Sequence, residues 1–321
     1  MTDDHEHTRI AKLRDALLDH DPRAIGRAIS LVENDDQSGR RLLAALADTP
    51  PHPCLIIGIT GPPGAGKSTL TSSLVKTFRH RKKRVGIIAV DPSSPLSGGA
   101  LLGDRIRMMS HALDPDVVAR SMAARGNLGG LCVAAGGVLR IMMAAGCDII
   151  LVETVGIGQS EMDIIRLADL TLVVLAPGFG DDIQAMKSGI LEVADLVVVN
   201  KADLAGSDRL LLDLQAGGDR SRRDRILLTE AKNHKGVEIL ADRIQDLGTT
   251  LARSGALSSR RKRAHDHETL NRALEILRPR LAASIRAQST DEHSDPAIRA
   301  ERVIDSLLKP DSSHERPKDT P

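Results

Sequence analysis

Gly61-Pro62-Pro63-Gly64-Ala65-Gly66-Lys67-Ser68 places two glycines five positions apart and follows the second with a lysine and a hydroxyl, the spacing G-x-x-x-x-G-K-[ST]. Glycines let a backbone turn its N–H groups inward, and a helix starting at the lysine aims its positive end at whatever anion lies there. The flanks supply that context: the apolar run Leu55 to Thr60 before the loop and a helical pattern from Leu70 to Phe78 after it. Lys67 is then expected to bridge the β and γ phosphates of a nucleotide, and Ser68, next to Thr69, to hold magnesium. A mere Gly/Pro turn with an exposed lysine would need neither flank.

A second group reads the base. Asn200-Lys201-Ala202-Asp203 closes the apolar run Leu196 to Val199. The Asp203 carboxylate can accept both the N1–H and the exocyclic N2–H of guanine, whereas adenine offers neither donor. A site built on such pairing can discriminate by roughly 10⁴ to 10⁵. The stem of Lys201 is expected to cover the base and Asn200 to tie this loop to the phosphate loop. Thr229-Glu230-Ala231-Lys232, after the last strand, is where a backbone N–H should reach the guanine O6, although any loop there could serve.

Three acids are candidates for the metal and the chemistry. The strand Ile149 to Glu153 runs into Thr154-Val155-Gly156; Glu153 can reach magnesium directly or through water, and the Gly156 N–H can report on the γ-phosphate. The alternative for Glu153 is a strand-end acid capping a turn. Asp91 follows the strand Val85 to Val90, and ligands of doubly wound sheets bind outside the carboxyl ends of strands. Asp104 is expected to approach magnesium with it, unless it is the N-cap of a helix from Arg105 to His111. Gly156 is followed by Ile157, which cannot hydrogen-bond an attacking water, and Gln159 lies further on, so hydrolysis should be slow in the isolated chain.

The elements that must position these groups are legible as pattern. Six short Val/Ile/Leu-rich segments (55–60, 85–90, 149–153, 172–175, 196–200 and 226–228) lack polar alternation, as parallel strands buried on both faces do. They alternate with helical segments, so the expected class is α/β with a doubly wound, mostly parallel sheet. Residues 1–53 read as a helical extension closed by Pro50, Pro51 and Pro53; residues 54–245 as the nucleotide domain; 246–288 as a helical arm; and 289–321 as a polar, partly disordered tail. The run Arg260-Arg261-Lys262-Arg263 reads as a solvated break between two helices.

Composition narrows the partners. A net charge of +1 lacks the basic surplus of a nucleic-acid binder, and with Phe78 and Phe179 as its sole aromatics the chain has no platform for stacking bases. Cys54, Cys132 and Cys147 are scattered and form no C-x-x-C pair, which points to reduced, buried thiols. The polar stretch Met1 to His7 and the lack of an apolar run of about 18 residues point to a cytoplasmic protein with no membrane partner.

Gly58 to Leu70 (GITGPPGAGKSTL), Val90 to Gly99 (VDPSSPLSGG), Glu153 to Glu161 (ETVGIGQSE) and Asn200 to Asp203 together resemble the MeaB/ArgK family. These are GTPase chaperones of adenosylcobalamin-dependent methylmalonyl-CoA mutase, whose human relative is the methylmalonic aciduria type A protein. The likeness runs from about Ala28 to about Leu281. It implies a P-loop GTPase using GTP/GDP and Mg2+, a homodimer joined through the C-terminal arm, and an adenosylcobalamin-dependent mutase as partner. It also implies a further nucleotide-sensing loop, matched by Pro177 to Asp182 and on to Lys187, which would join Lys67, Asp104 and Glu153 in catalysis. By pattern alone that stretch is a strand-to-helix turn. The chain departs from the family at Arg120 to Gly130, which lacks two prolines of the corresponding R-P-S-P-S-R-G-T-L-G-G, and at Glu230, where many members have Ser. A metal-inserting GTPase and a kinase acting on a transport protein are the alternatives. The first usually carries His- or Cys-rich clusters, and here the close pairs are His5 with His7 and His265 with His267.

Overall fold

A computed structural model describes residues 2–50, 52–92, 113–124, 130–154, 165–178, 189–216, 223–287 and 295–308, with His111 and Met162. Its centre is a seven-stranded, wholly parallel sheet in the order β3-β2-β4-β1-β5-β6-β7. The strands are β1 (Leu55–Thr60), β2 (Val85–Pro92), β3 (Val117–Ala124), β4 (Ile149–Thr154), β5 (Leu170–Leu175), β6 (Leu196–Asn200) and β7 (Ile226–Thr229). The doubly wound expectation holds. All residues of β4, β5 and β6 are buried, as β-branched and leucine side chains require when helices cover both faces.

Alternation along the strands divides the core. Ile56, Ile88, Val90, Ile150 and Val152 point to one face, where α2 (Pro22–Glu33), α3 (Gln37–Leu46) and α5 (Gly130–Ala144) pack with α1 (Thr2–Leu18). Ile57, Ile59, Ile87, Ile149 and Leu151 point to the other, against α4 (Lys67–His80) and α8 (Val237–Arg253). The helical extension is thus part of the core: Asp21 caps α2 by accepting from the Ala24 N–H at 2.7 Å, Pro22 opens it, and Ile25, Ala28, Ile29 and Val32 are buried. Gly137 on α5 lets the helices meet, since a Cβ there would lie 2.3 Å from Val32 Cγ1.

Two features depart from the sequence expectation. β3 is a seventh strand, at the edge of the sheet, where its run of Ala, Arg and Ser carries little strand signal; Arg120 on it pairs with Glu33 of α2. α5 fills a stretch where the sequence implies an alternating helix but no bounds. The break at Arg260 to Arg263 is absent: α9 (Ala256–Ala287) is continuous through it, and the chain turns at Gly255, whose φ of 75° is easy only for glycine. Arg260 and Arg261 are not solvated junction residues. Arg260 pairs with both oxygens of Asp195 at 2.8 Å and donates to Asp169 O at 2.6 Å, while Arg261 pairs with both oxygens of Asp169 at 2.9 and 2.7 Å and donates to Cys54 O at 2.6 Å. Those carboxylates in turn accept from the Ile56 and Thr171 N–H groups, each at 2.9 Å.

The chain divides into two compact units, Met1–Glu268 and Thr269–Pro321. In the second, Val303 of α10 (Pro296–Leu308) is buried and Arg299 donates to Ile285 O at 3.0 Å. Two short helices, α6 (Ile190–Val193) and α7 (Ser207–Gln215), cover β5 and β6 in the first.

Candidate nucleotide-binding site

β2, β3 and β4 lie to one side of β1 and β5, β6 and β7 to the other, so its carboxyl end opens at the point where strand order reverses. The loop Gly61 to Gly66 lies there and passes into α4 at Lys67. Gly61, Gly64 and Gly66 have φ of 141°, 80° and 91°. Side chains rarely adopt these, and at Gly61 there is no room either, a Cβ falling 2.0 Å from Val174 O. Pro62 and Ala65 are buried, whereas Pro63, Gly64 and Thr69 face solvent. Lys67 is buried, its Nζ donating to Gly61 O at 2.7 Å and Pro62 O at 3.1 Å, so the ammonium sits inside the ring of backbone it closes.

Ser68, the second residue of α4, has its hydroxyl donating to Glu153 Oε1 at 2.5 Å. Glu153 is buried at the end of β4, one residue before Thr154, whose hydroxyl donates to that of Thr60 on β1 at 3.3 Å. A hydroxyl and a carboxylate so joined are hard oxygen donors of the kind magnesium takes. Asp91 lies in β2, two strands from the loop, at the carboxyl end that also carries Glu153; its side chain lies outside the described residues. Asp104, Gly156 and Lys187 lie outside them as well.

Asn200 joins three loops. Its Nδ2 donates to Ala65 O at 3.0 Å, and its Oδ1 accepts from the Thr229 hydroxyl and the Ala231 N–H, both at 3.1 Å. Lys201, held at a φ of 56°, sends its Nζ to Gly64 O at 2.8 Å, so its stem spans the gap between the two loops. Asp203 is exposed two residues on. Glu230, Ala231 and Lys232 form the third wall: Ala231 O accepts from Ser73 Oγ of α4 at 2.7 Å, and the Glu230 N–H donates to Lys235 O at 3.0 Å. With the Ala231 and Glu230 N–H groups so engaged, that of Lys232 remains of the three.

One residue absent from the sequence-derived set stands beside this site. His111 is buried, its Nε2 2.8 Å from Ser72 Oγ, one helical turn beyond Ser68. Burial and then the Lys76 charge push its pKa down, against a smaller upward pull from Asp114. Only the packing of α4 could have revealed it.

Among the described residues, no cluster of His, Cys, Asp and Glu could hold a metal on protein ligands alone, and no helix is long and apolar enough to cross a membrane. A family model described as methylmalonyl Co-A mutase-associated GTPase MeaB matches residues 25–287. A putative GTPase of Pyrococcus abyssi is 43% identical over 315 residues, covering 93% of this chain and 97% of its own. The GTPase ArgK of Escherichia coli is 35% identical over 250 residues, 74% and 76% of the two chains. The crystal structure of a LAO/AO transport system kinase shares the fold with a TM-score of 0.70 at 23% identity, over 94% of this chain and 98% of that one.

Proposed function

The chain belongs to the MeaB family of methylmalonyl-CoA mutase-associated GTPases, and from that premise we propose that its GTP hydrolysis gates the loading or protection of the cofactor of an adenosylcobalamin-dependent acyl-CoA mutase. The observation that carries the nucleotide reading is the Asn200 side chain, which binds Ala65 O of the phosphate loop and the Ala231 N–H of the base loop at once. Phosphate and base recognition are thereby one rigid assembly.

In this reading the backbone N–H groups of Gly64 and Gly66 and the start of α4 receive the phosphates, and Lys67 exchanges its carbonyl partners for the β and γ oxygens. Ser68, Glu153, Asp91 and Asp104 would hold magnesium, which would supply charge neutralisation at the transferred phosphoryl group. Asp203 accepts the two guanine donors, Lys201 covers the base, and the Lys232 N–H meets O6. Gly156 and Lys187 sense the γ-phosphate. The partner reading rests on the family's name, and a homodimer on the resemblance of its C-terminal arm.

With Ile157 after Gly156, water positioning is incomplete in the isolated chain, and a partner supplies or orders the missing group. Single-turnover measurement tests this. Hydrolysis well below about 1 s⁻¹ is expected, whereas a rate in the range of about 1 to 100 s⁻¹ would show a self-sufficient site. For the partner, sedimentation with cobalamin-dependent mutases in the GDP and non-hydrolysable GTP states decides: binding that changes with nucleotide supports the chaperone reading, and no binding in any state ends it.

A further inference from the structure

Ala231 is held on both sides. Its N–H donates to Asn200 Oδ1 at 3.1 Å, and its carbonyl accepts from Ser73 Oγ at 2.7 Å. The His234 N–H shares that carbonyl at 3.4 Å, closing the 3-10 turn Ala231–Asn233. Ser73 is buried on α4, the helix that starts at Lys67, and Ala231 is 3% exposed. The helix that faces the phosphates therefore also holds the base-side loop, through a bond shielded from water.

The carbonyl that Ser73 holds belongs to the same peptide group as the Lys232 N–H. A trans peptide is planar, so its C=O and N–H point in opposite directions, and this one is trans. Fixing the carbonyl against α4 turns the Lys232 N–H away from that helix, and this N–H is the donor assigned above to the guanine O6. A hydroxyl that donates to a carbonyl also polarises the N–H across the amide, more so where the surroundings are dry. Thr77, four residues further along the same face of α4, supports the end of the turn. Its Oγ1 is 3.2 Å from His234 Nε2 and donates to Glu238 Oε1 of α8 at 3.2 Å. The two hydroxyls thus differ in what they hold: Thr77 meets a side chain beyond the turn, whereas Ser73 meets the peptide that carries the O6 donor.

We propose that Ser73 is a positioning residue for base recognition: its hydroxyl orients the Ala231–Lys232 peptide so that the Lys232 N–H meets the O6 of a guanine nucleotide. The inference rests on the guanine reading above and deepens it, since it assigns the group that aims the O6 donor.

The test is a titration of the full-length chain with GDP and with 6-thio-GDP, in which sulfur, a weak acceptor, replaces O6. The wild-type chain should prefer GDP by about 10-fold, the worth of one buried hydrogen bond. Ser73→Ala should bind GDP more weakly and narrow that preference to about 3-fold or less. Thr77→Val, which loosens the turn without touching Ala231 O, should keep the wild-type preference. Should Ser73→Ala fail to fold, Ser73→Cys, whose thiol is a weaker donor, is expected to narrow the preference in the same direction. A full preference in the Ser73 variant, even with weaker binding of both nucleotides, would make the serine merely structural and overturn the proposal. Equal narrowing in Thr77→Val would overturn it too. A wild-type chain that binds ADP as tightly as GDP would instead remove the guanine reading itself.

Discussion

Asn200 and Gly66 exclude any side chain between them: Asn200 Nδ2 would lie 2.4 Å from a Cβ placed on Gly66, while the same amide donates to the neighbouring Ala65 O at 3.0 Å. The Asn200 amide and the Lys201 ammonium, which donates to Gly64 O at 2.8 Å, thus join the two loops. Gly66→Ala should break this junction twice over, by a clash and by backbone strain of about 1 to 3 kcal/mol at a φ of 91°. GDP affinity is expected to fall more than 10-fold; a titration matching wild type would show that the junction is dispensable.

Asp203→Asn should turn the base preference from guanine to xanthine. The amide presents a donor where the carboxylate accepts, and xanthine carries oxygen at C2. Competition between GDP and XDP should shift by a factor on the order of 10⁴. An unchanged ratio would remove Asp203 from the base site.

Glu153→Ala leaves the Ser68 hydroxyl without the acceptor that holds it at 2.5 Å. If both serve magnesium, the Mg2+-dependent tightening of GTP should weaken about 10- to 100-fold, with nucleotide binding in chelator little altered. Equal losses with and without Mg2+ would assign Glu153 to the loop's structure alone.

Arg261→Met strips Asp169, which is 1% exposed, of its bidentate partner. Breaking a buried pair costs about 3 to 5 kcal/mol. Arg261 is itself 34% exposed, so solvent screening lowers the expected loss to about 2 kcal/mol. Urea unfolding should show it, and the double variant with Asp169→Asn should recover part. No change in the unfolding midpoint would return the basic run to the role of a solvated segment.

Cys54 and Cys147 should resist thiol reagents in the native protein. Burial raises the Cys147 pKa to about 12 and that of Cys54 well above its ordinary value, with Cys147 adding to the latter. In a Cys132→Ser chain at pH 8, a disulfide reagent should react with neither until denaturant is added. Rapid native reaction would contradict their burial.

The shape of the contiguous segments was legible from the sequence because it is set by local backbone geometry. Gly61 to Ser68 encodes its own turns, and Asn200 to Asp203 sits at the end of a strand whose unbroken apolar run betrays burial on both faces. The parallel sheet and the family could be read for the same reason. Pairing across distance could not. The Asn200 bond to Ala65 spans 135 positions, the Ser68 bond to Glu153 spans 85, and the Arg261 pair with Asp169 spans 92. No spacing rule announces these, because which strands become neighbours is settled by packing. The basic run therefore looked solvated until the first turns of α9 were laid against Asp169 and Asp195. β3 likewise became a strand despite weak propensity, because β2 offers its Ala and Arg residues an edge to pair with. The pairing of Glu230 with Lys235 also waited on the fold: a charge pair five residues apart forms only where the turn closes upon itself.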